Sequence, residues 1–504
     1  MLTSQIRNNG VAKWGYRRAG CADLGAADRW IGMNSVLLVV FDGLRPDAIS
    51  AETTPNLLRF AAMGHRMARA RSVFPSETRV CTSAVATGCH PQRHGLVANK
   101  MIHPLDPTRT VDTGDGEALR DLEQALGAAV LQEPGLSDRL GALGHDFAVF
   151  SSGTTGQTFL LAPRADRLGQ VVVSAHGPQW CSIAGQSVLA RLDPPPSEPT
   201  ARAVWIAEAW RRTQLPNPPA ASVLWLCEPD TSSHYQGLDS AAQRHALKHV
   251  DAAFGRIVDE WQAGPQRDRL QIIVASDHGH VAIERHYTVS AAFARSSLFQ
   301  GVRSTGGASA GLSAPDATPE RLADIATWLM QQDWIETVLA ANPPPGALPL
   351  EAAEIDHPRT ARILYTMRSS DAAGSTGLPG LVTMDNAVPL KVGGGSHGGL
   401  NRAELSTVLM MAGSAIQPGV SQRPAGLVDI APSILALLGL PGGETMDGRV
   451  IEEALAGHQQ GNASYSPETW EAHHEGFAQR VARWRMGRHV WLEHGERLHP
   501  QAST

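Results

Sequence analysis

The stretch that decides the fold of this chain is Val36-Leu37-Leu38-Val39-Val40-Phe41-Asp42-Gly43. A continuous apolar run of this length is typical of a buried parallel strand, and the aspartate that follows it would lie at the C-terminal end of that strand. Later runs predict further strands of the same sheet at Phe147–Phe150, Ser222–Cys227, Leu270–Ala275 and Val408–Met411.

Helices are predicted between these strands. Pro55 begins a helix that runs through Met63, and a run of small residues predicts another from Thr78 to Thr87. Apolar residues at helical spacing predict a third helix between positions 238 and 261. Strands that alternate with helices predict an α/β fold, with a doubly wound, mostly parallel sheet and helices on both of its faces.

The rest of the chain is interpreted as additions to this sheet domain. Residues 1–33 lack periodicity and are a candidate for a disordered N-terminal extension. Two parts of the core, 34–284 and 395–456, flank residues 285–394, which contain few residues able to bind a ligand. This block is therefore predicted to be an inserted α+β cap that supplies walls of a pocket.

Within the cap the sequence predicts a Gly/Ser/Ala-rich loop near Ser304–Pro315, a helix near Pro319–Met330 and a strand near Ala361–Met367. Residues 457–504 are predicted to form a helical tail. This tail would pack on the core through Trp470, Phe477, Val481 and Trp484.

The formal net charge of −6 over 504 residues argues against a surface that binds nucleic acids. A small anionic substrate would then need local positive charge, such as a metal ion.

The five cysteines contain no CxxC pair, which fits a reducing cytosol. No apolar signal segment precedes the first strand, and Val36–Phe41 is too short to cross a bilayer. The sequence thus predicts a cytoplasmic protein without a membrane partner.

Seven side chains that can bind metal stand where predicted strands run out into a loop or a helix start: Asp42, Thr78, Asp230, His234, Asp277, His278 and His397. The C-terminal ends of strands are where an α/β sheet collects its catalytic groups. A mixed set of carboxylates and imidazoles suits zinc, and a dinuclear site would also hold the two oxygens of an in-line phosphoryl displacement. The pattern favours hydrolysis of phosphoryl esters.

Taken singly, these residues have plainer interpretations. Asp230 could cap a helix, with His234 an unrelated surface histidine. Asp277 and His278 could be solvated groups in a turn at the end of a strand. His397 is one of 20 histidines and lies in a glycine-rich loop.

Together the segments resemble the nucleotide pyrophosphatase/phosphodiesterase family (type I phosphodiesterases) of the alkaline phosphatase superfamily. The matching motifs, in chain order, are Phe41-Asp42-Gly43, Phe74-Pro75-Ser76-Glu77-Thr78, the run from Thr87 through Gly95, and the Glu-Pro-Asp…His, Asp-His-Gly and His-Gly segments. The resemblance covers residues 34–280 and 395–440. It implies an alkaline-phosphatase-like core.

The resemblance also implies two bound divalent metal ions, both zinc. One would be held by Asp230, His234 and His397, and the other by Asp42, Asp277 and His278. The hydroxyl of Thr78, close to the second ion, would attack phosphorus and form a phospho-threonine that water then hydrolyses. Asn99 would donate a hydrogen bond to a phosphate oxygen.

Arg79 follows the implied nucleophile, at a position where members of the family commonly have an aromatic residue that stacks on a nucleotide base. A guanidinium can bind phosphate or carboxylate oxygens with two donors, although it could instead point away and pair with a carboxylate such as Glu77. We therefore expect a small phosphate- or phosphonate-ester substrate and weak preference for nucleotides.

Alternative functions remain. A phosphonate hydrolase similar to phosphonoacetate hydrolase, or a phosphomonoesterase of the same superfamily, would use the same ligands. A non-catalytic binding protein is less favoured, because clustered carboxylates repel each other without metal. Ser76 is a weaker candidate nucleophile, and the sequence assigns no role to His280.

Overall fold

The computed structural model describes residues 34–458 and 464–498, so the extension predicted at 1–33 lies outside the described residues. The strands are β1 Ser35–Phe41, β2 His65–Arg71, β3 Lys100–His103, β4 Asp106–Asp112, β5 Phe147–Ser151, β6 Val171–Ser174, β7 Ala221–Leu226, β8 Leu270–Ala275, β9 Val281–Tyr287, β10 Arg303–Ser304, β11 Ser309–Ser313, β12 Ile335–Ala340, β13 Leu348–Pro349, β14 Ile363–Met367, β15 Ser369–Ala373, β16 Pro379–Asp385, β17 Gly395–Ser396, β18 Leu409–Ala412, β19 Gly419–Gly426, β20 Ser466–His474, β21 Phe477–Met486 and β22 His489–Leu498.

The α-helices are α1 Pro55–Met63, α2 Thr78–Thr87, α3 Pro91–His94, α4 Gly116–Leu126, α5 Leu136–Ala142, α6 Thr155–Leu161, α7 Ala165–Leu168, α8 Ile183–Leu189, α9 Pro199–Thr213, α10 Asp230–Gln236, α11 Ala241–Ala263, α12 Val289–Phe293, α13 Pro319–Met330, α14 Arg402–Leu405 and α15 Ile430–Leu437. The predicted helices α1 and α2 are confirmed with their bounds. Within the described residues, no helix combines the length and apolar character needed to span a bilayer.

Eight strands form the central sheet, in the order β19-β2-β18-β8-β1-β7-β5-β6. β1 lies in the middle and pairs in parallel with β7 and β8, so that Leu38 stands opposite Val223 and Ile273. Among the described strands of this sheet, only β18 runs antiparallel to its neighbours. The predicted doubly wound, mostly parallel sheet is confirmed.

Both faces of the sheet are covered by helices. The even-numbered residues of β1 pack with α2, α5 and α15 in one apolar core, and the odd-numbered residues pack with α1, α9 and α11 in another. Every residue from Val36 to Phe41 is fully buried. Since side chains alternate between the two faces of a strand, burial on both faces requires the continuous apolar run that the sequence shows.

Residues 285–394 supply all five strands of a second sheet, β10-β11-β14-β12-β13, against which α13 packs. The helix predicted here is confirmed, but the loop predicted near Ser304–Pro315 is wrong in part, because Ser309–Ser313 is β11 and pairs with β14. Small residues fit this strand, since a Cβ at Gly311 would lie 2.8 Å from the Cβ of Ala361. The role of the block as a cap stays a prediction.

The helical tail predicted at 457–504 is wrong within the described residues. β20, β21 and β22 form a three-stranded antiparallel sheet. Burial alternates along β21, where Phe477, Gln479 and Val481 face inward. The buried Gln479 is polar, so the alternation is hidden in the sequence. Its side-chain oxygen accepts the N–H of Val338 from β12.

Candidate metal centre

The structure brings all seven predicted ligand side chains to the C-terminal edge of the central sheet. Asp42 follows β1, Asp230 begins α10 after β7, and Asp277 and His278 follow β8. Thr78 is the first residue of α2 and His397 follows β17. β1, β7 and β8 are adjacent parallel strands, so their C-terminal ends meet at one edge of the sheet, and Thr78 and His397 reach the same place from α2 and from the end of β17.

The first cluster consists of Asp230, His234 and His397. His234 Nε2 lies 3.1 Å from Asp230 Oδ1 and 3.2 Å from His397 Nε2, and His397 Nε2 lies 3.6 Å from the same carboxylate oxygen. Ligand atoms around tetrahedral zinc stand about 3.3 Å apart at the usual bond lengths. The three side chains therefore present one face of a tetrahedral site.

The second cluster consists of Asp42, Asp277, His278 and Thr78. His278 Nε2 lies 3.5 Å from Asp42 Oδ1 and 3.3 Å from Asp277 Oδ2. The Thr78 hydroxyl oxygen lies 3.2 Å from the same nitrogen. The hydroxyl is thus next to the carboxylate and imidazole atoms that could hold a cation.

The carboxylates of the second cluster each leave one oxygen unused. Trp225 Nε1 donates to Asp42 Oδ2 at 2.9 Å, and the Gly43 N–H donates to Asp277 Oδ1 at 3.0 Å. Asp42 Oδ1 and Asp277 Oδ2 are buried and have no hydrogen-bond partner. Orphaned carboxylate oxygens of this kind are costly unless a cation binds them, so the residues fit a metal ion.

The histidines are held with their Nε2 atoms toward the clusters. Nδ1 of His234 donates to the Gly395 carbonyl at 2.7 Å, and Nδ1 of His397 donates to that of Ser76 at 2.7 Å. Nδ1 of His278 lies 3.0 Å from the Gly279 carbonyl. A backbone carbonyl that accepts from Nδ1 fixes the tautomer and leaves the Nε2 lone pair free to bind metal.

Burial is the largest cause of the pKa shifts of Asp42, Asp277 and His278, and neighbouring carboxylates add to it at the two aspartates. Burial, together with repulsion from Asp277 and Asp230, raises the pKa of Asp42 well above its usual range. Burial raises the pKa of Asp277 to about 7. Burial also lowers the pKa of His278 to about 3, so this imidazole is neutral at neutral pH, as metal binding requires.

Asn99 is hydrogen-bonded to the residues on either side of Thr78. The backbone N–H of Arg79 donates to Asn99 Oδ1 at 3.0 Å, and the Asn99 N–H donates to the Glu77 carboxylate. With its side-chain oxygen occupied, Asn99 presents its NH₂ group as the remaining donor. The Arg79 side chain forms no ion pair with any carboxylate of the described residues, and its Nε has no hydrogen-bond partner.

Sequence reasoning gave no role to His280, yet the structure places it in the centre. Its ring is fully buried, with Nε2 3.1 Å from Asp230 Oδ1. A signal was present, because His278 and His280 stand two residues apart in an extended segment, a spacing that can direct both side chains to one side.

Glu404 supports the loop that follows His397. Its buried carboxylate accepts the N–H groups of Gly399 at 2.9 Å and Asn401 at 3.1 Å. Burial raises the pKa of Glu404 to about 7. Because this folded-state pKa lies above the ordinary value, the protonated group stabilises the fold at low pH, and that stability is lost as the pH rises through about 7.

We expect Glu404→Gln to remove this pH dependence. From about pH 5 to about pH 8, the wild type should lose on the order of 2 kcal/mol of stability relative to the variant. Urea unfolding of both proteins, with a chelator present throughout, measures the difference. Parallel pH profiles for the two proteins would contradict the expectation.

Comparison with known proteins agrees with this geometry. The sequence pattern of the type I phosphodiesterase/nucleotide pyrophosphatase family matches residues 36–358. The mouse protein named bis(5'-adenosyl)-triphosphatase enpp4 is 24% identical over 257 residues, which are 48% of this chain and 46% of the relative. Human ectonucleotide pyrophosphatase/phosphodiesterase family member 7 is 23% identical over 258 residues, 50% of this chain and 49% of the relative. The matches span about half the length of these curated relatives.

Solved structures show the same fold. Murine ectonucleotide pyrophosphatase/phosphodiesterase 5 superposes with a TM-score of 0.58 at 16% identity, over 84% of this chain and all of that one. A second structure of that protein, an inactive threonine-to-alanine variant in complex with AMP, has a TM-score of 0.55 at 18% identity and covers 81% of this chain and 96% of that one. From the family match over residues 36–358, we conclude that the chain belongs to the type I phosphodiesterase/nucleotide pyrophosphatase family.

Proposed function

We propose that this protein is a metal-dependent phosphoryl-ester hydrolase of the phosphodiesterase type, which acts through a phospho-threonine at Thr78. The observation that carries the proposal is the convergence of six carboxylate and imidazole side chains near the Thr78 hydroxyl, in a chain of this family. A turnover panel of aryl phosphate diesters, monoesters and phosphonate esters with the zinc-loaded protein tests it. If the protein hydrolysed none of the diesters, the proposal would be contradicted.

The cofactors we propose are two zinc ions. Asp230, His234 and His397 would hold one, and Asp42, Asp277 and His278 would hold the other. Bound divalent metal would supply positive charge that favours the alkoxide of Thr78 and offsets the charge on phosphate. Buried carboxylates with unpartnered oxygens support binding of a cation, and the share of imidazole ligands favours zinc over magnesium or calcium.

The chain's own residues would then position the reaction. Thr78 would attack phosphorus from the first residue of α2. The NH₂ group of Asn99 would donate to a phosphate oxygen, since the side-chain oxygen is already engaged. In the solved relative named above, a threonine-to-alanine variant is described as inactive, which supports the role of Thr78.

The relatives' names connect them to nucleotides: one is a bis(5'-adenosyl)-triphosphatase, and another was solved with AMP. We propose a different preference here, because Arg79 follows Thr78 and its side chain forms no ion pair with a carboxylate of the described residues. A guanidinium next to the nucleophile in sequence would bind the oxygens of a small phosphate or phosphonate ester. The same observation favours the second candidate, phosphomonoester hydrolysis, because a monoester carries one more charge than a diester.

We expect Arg79→Ala to lower kcat/KM for a simple aryl diester by about 10- to 100-fold, as loss of one charged donor does. The effect on an aryl monoester should be larger. Arg79→Lys, which keeps the charge but loses the two-donor fork, should fall between the wild type and Arg79→Ala. A strong preference of the wild type for a nucleotide diester, unchanged in Arg79→Ala, would show that the base is recognised elsewhere.

A further inference from the structure

Both ring nitrogens of His280 face hydrogen-bond acceptors. Nδ1 lies 3.0 Å from the Gly43 carbonyl oxygen, and Nε2 lies 3.1 Å from Asp230 Oδ1. The carbonyl and the carboxylate can both only accept, and a neutral ring has one N–H, so it can donate to only one of them. We assign the proton to Nδ1, as in the other three histidines of the centre. The lone pair of Nε2 then points at a carboxylate oxygen, which is repulsive unless a cation lies between the two atoms.

His280 therefore has the arrangement of the three histidines already assigned as ligands. In each of the four, Nδ1 donates to a backbone carbonyl and Nε2 faces the carboxylates. This arrangement is what ligating histidines show when a carbonyl sets their tautomer. One ligand atom each of Asp230, His278, His280 and His397 lies within 4.8 Å of the others.

The rings are also spaced for a single ion. The ring centroid of His280 lies 5.4 Å from that of His234 and 5.4 Å from that of His397, and the last two are 5.0 Å apart. Three imidazoles bound through Nε2 to one tetrahedral ion would have centroids about 5 Å apart. The spacing of the three rings matches that of an N₃O site completed by Asp230.

Two glycines leave the space that the His280 ring occupies. A Cβ at Gly43 would collide with Cε1 of the ring, and a Cβ at Gly395 would lie 2.8 Å from its Cδ2. Gly43 has φ +69°, a conformation that side chains rarely adopt. The ring thus occupies space that any other residue at these two positions would fill.

We propose that His280, through Nε2, is a fourth protein ligand of the metal ion held by Asp230, His234 and His397. This inference rests on the dinuclear centre of the proposed function. It adds to that centre an imidazole whose removal costs a metal bond. Removal of a histidine that only oriented Asp230 would cost a hydrogen bond instead.

Proton NMR of the protein with cobalt(II) in place of zinc counts the ligating imidazoles directly. Each ligating histidine with a protonated Nδ1 gives one strongly shifted, solvent-exchangeable signal. The wild type is expected to show four such signals, from His234, His278, His280 and His397. Three signals in the wild type, with two cobalt ions bound per chain, would overturn the inference and leave the proposed function standing. Fewer than two ions bound per chain would overturn both.

The variants His280→Gln and His280→Leu separate ligation from hydrogen bonding. Glutamine can still donate to Asp230 but is a poor zinc ligand, so both variants should lose one shifted signal. Both should also lose affinity for one zinc ion by more than the roughly 10- to 100-fold that loss of an outer-shell partner costs. Near-wild-type zinc affinity in His280→Gln, with loss only in His280→Leu, would assign His280 to hydrogen bonding and overturn the inference.

His65→Gln is the matched control. His65 is also buried, and its Nδ1 also lies near a backbone carbonyl, that of Gln417 at 3.1 Å. It lies at the start of β2 and forms no hydrogen bond or ion pair with the candidate ligands. This variant should keep all four signals and both zinc affinities, measured by competition with a chromogenic chelator.

Discussion

Replacing Thr78 with alanine is expected to lower the rate of phosphodiester hydrolysis by roughly 10⁴-fold or more while both metal ions stay bound, because a covalent nucleophile is removed. The hydroxyl lies 3.2 Å from His278 Nε2 in the second cluster. The two aspartates and the histidine of that cluster are untouched by the change. Steady-state kinetics and elemental analysis of the same preparations measure both quantities.

The controls for this prediction come from the same helix. Thr87→Ala removes a hydroxyl that donates to the Ser83 carbonyl at the far end of α2, and it should leave both rate and metal content near wild type. Thr78→Ser keeps a hydroxyl and should retain a substantial part of the rate. If Thr78→Ala hydrolysed a diester at close to the wild-type rate, attack through a covalent threonine would be excluded.

Asp277→Asn should remove one metal ion per chain and lower activity by about 10³-fold or more, since a bound divalent ion supplies several kcal/mol of transition-state stabilisation. Asparagine keeps the shape and can still accept the Gly43 N–H. The substitution puts an uncharged NH₂ group in the place of Asp277 Oδ2, the buried oxygen that has no hydrogen-bond partner. Elemental analysis should find two metal ions in the wild type and one in the variant.

Asp251→Asn is the matched control for Asp277→Asn. Asp251 is also a buried aspartate, but its carboxylate accepts the N–H groups of Asn56 and Leu57 at the start of α1. This variant can lower thermal stability, yet it should keep two metal ions and full activity per folded molecule. Two ions in Asp277→Asn, or one ion in the active wild type, would show that the ligand assignment is wrong.

Much of the fold is readable from the sequence because local patterns and tertiary burial agree there. The run Val36–Phe41 is apolar at every position, and a strand between two layers of helices buries every position. Motifs at Asp42, Thr78 and Asp277 follow such strands or begin helices, so their approximate place at one edge of the sheet follows from parallel pairing.

The sequence by itself thus determined the α/β class, the central parallel strands and the seven candidate ligands. Tertiary structure decided the rest. The C-terminal segment forms a sheet whose buried face includes polar Gln479 and Arg483, and these side chains find their partners in neighbouring elements. His280 joined the centre because Gly43 and Asp230, far away in sequence, supply the acceptors for its two nitrogens. Such partners contribute only after long-range packing has brought them together, and no local pattern records them.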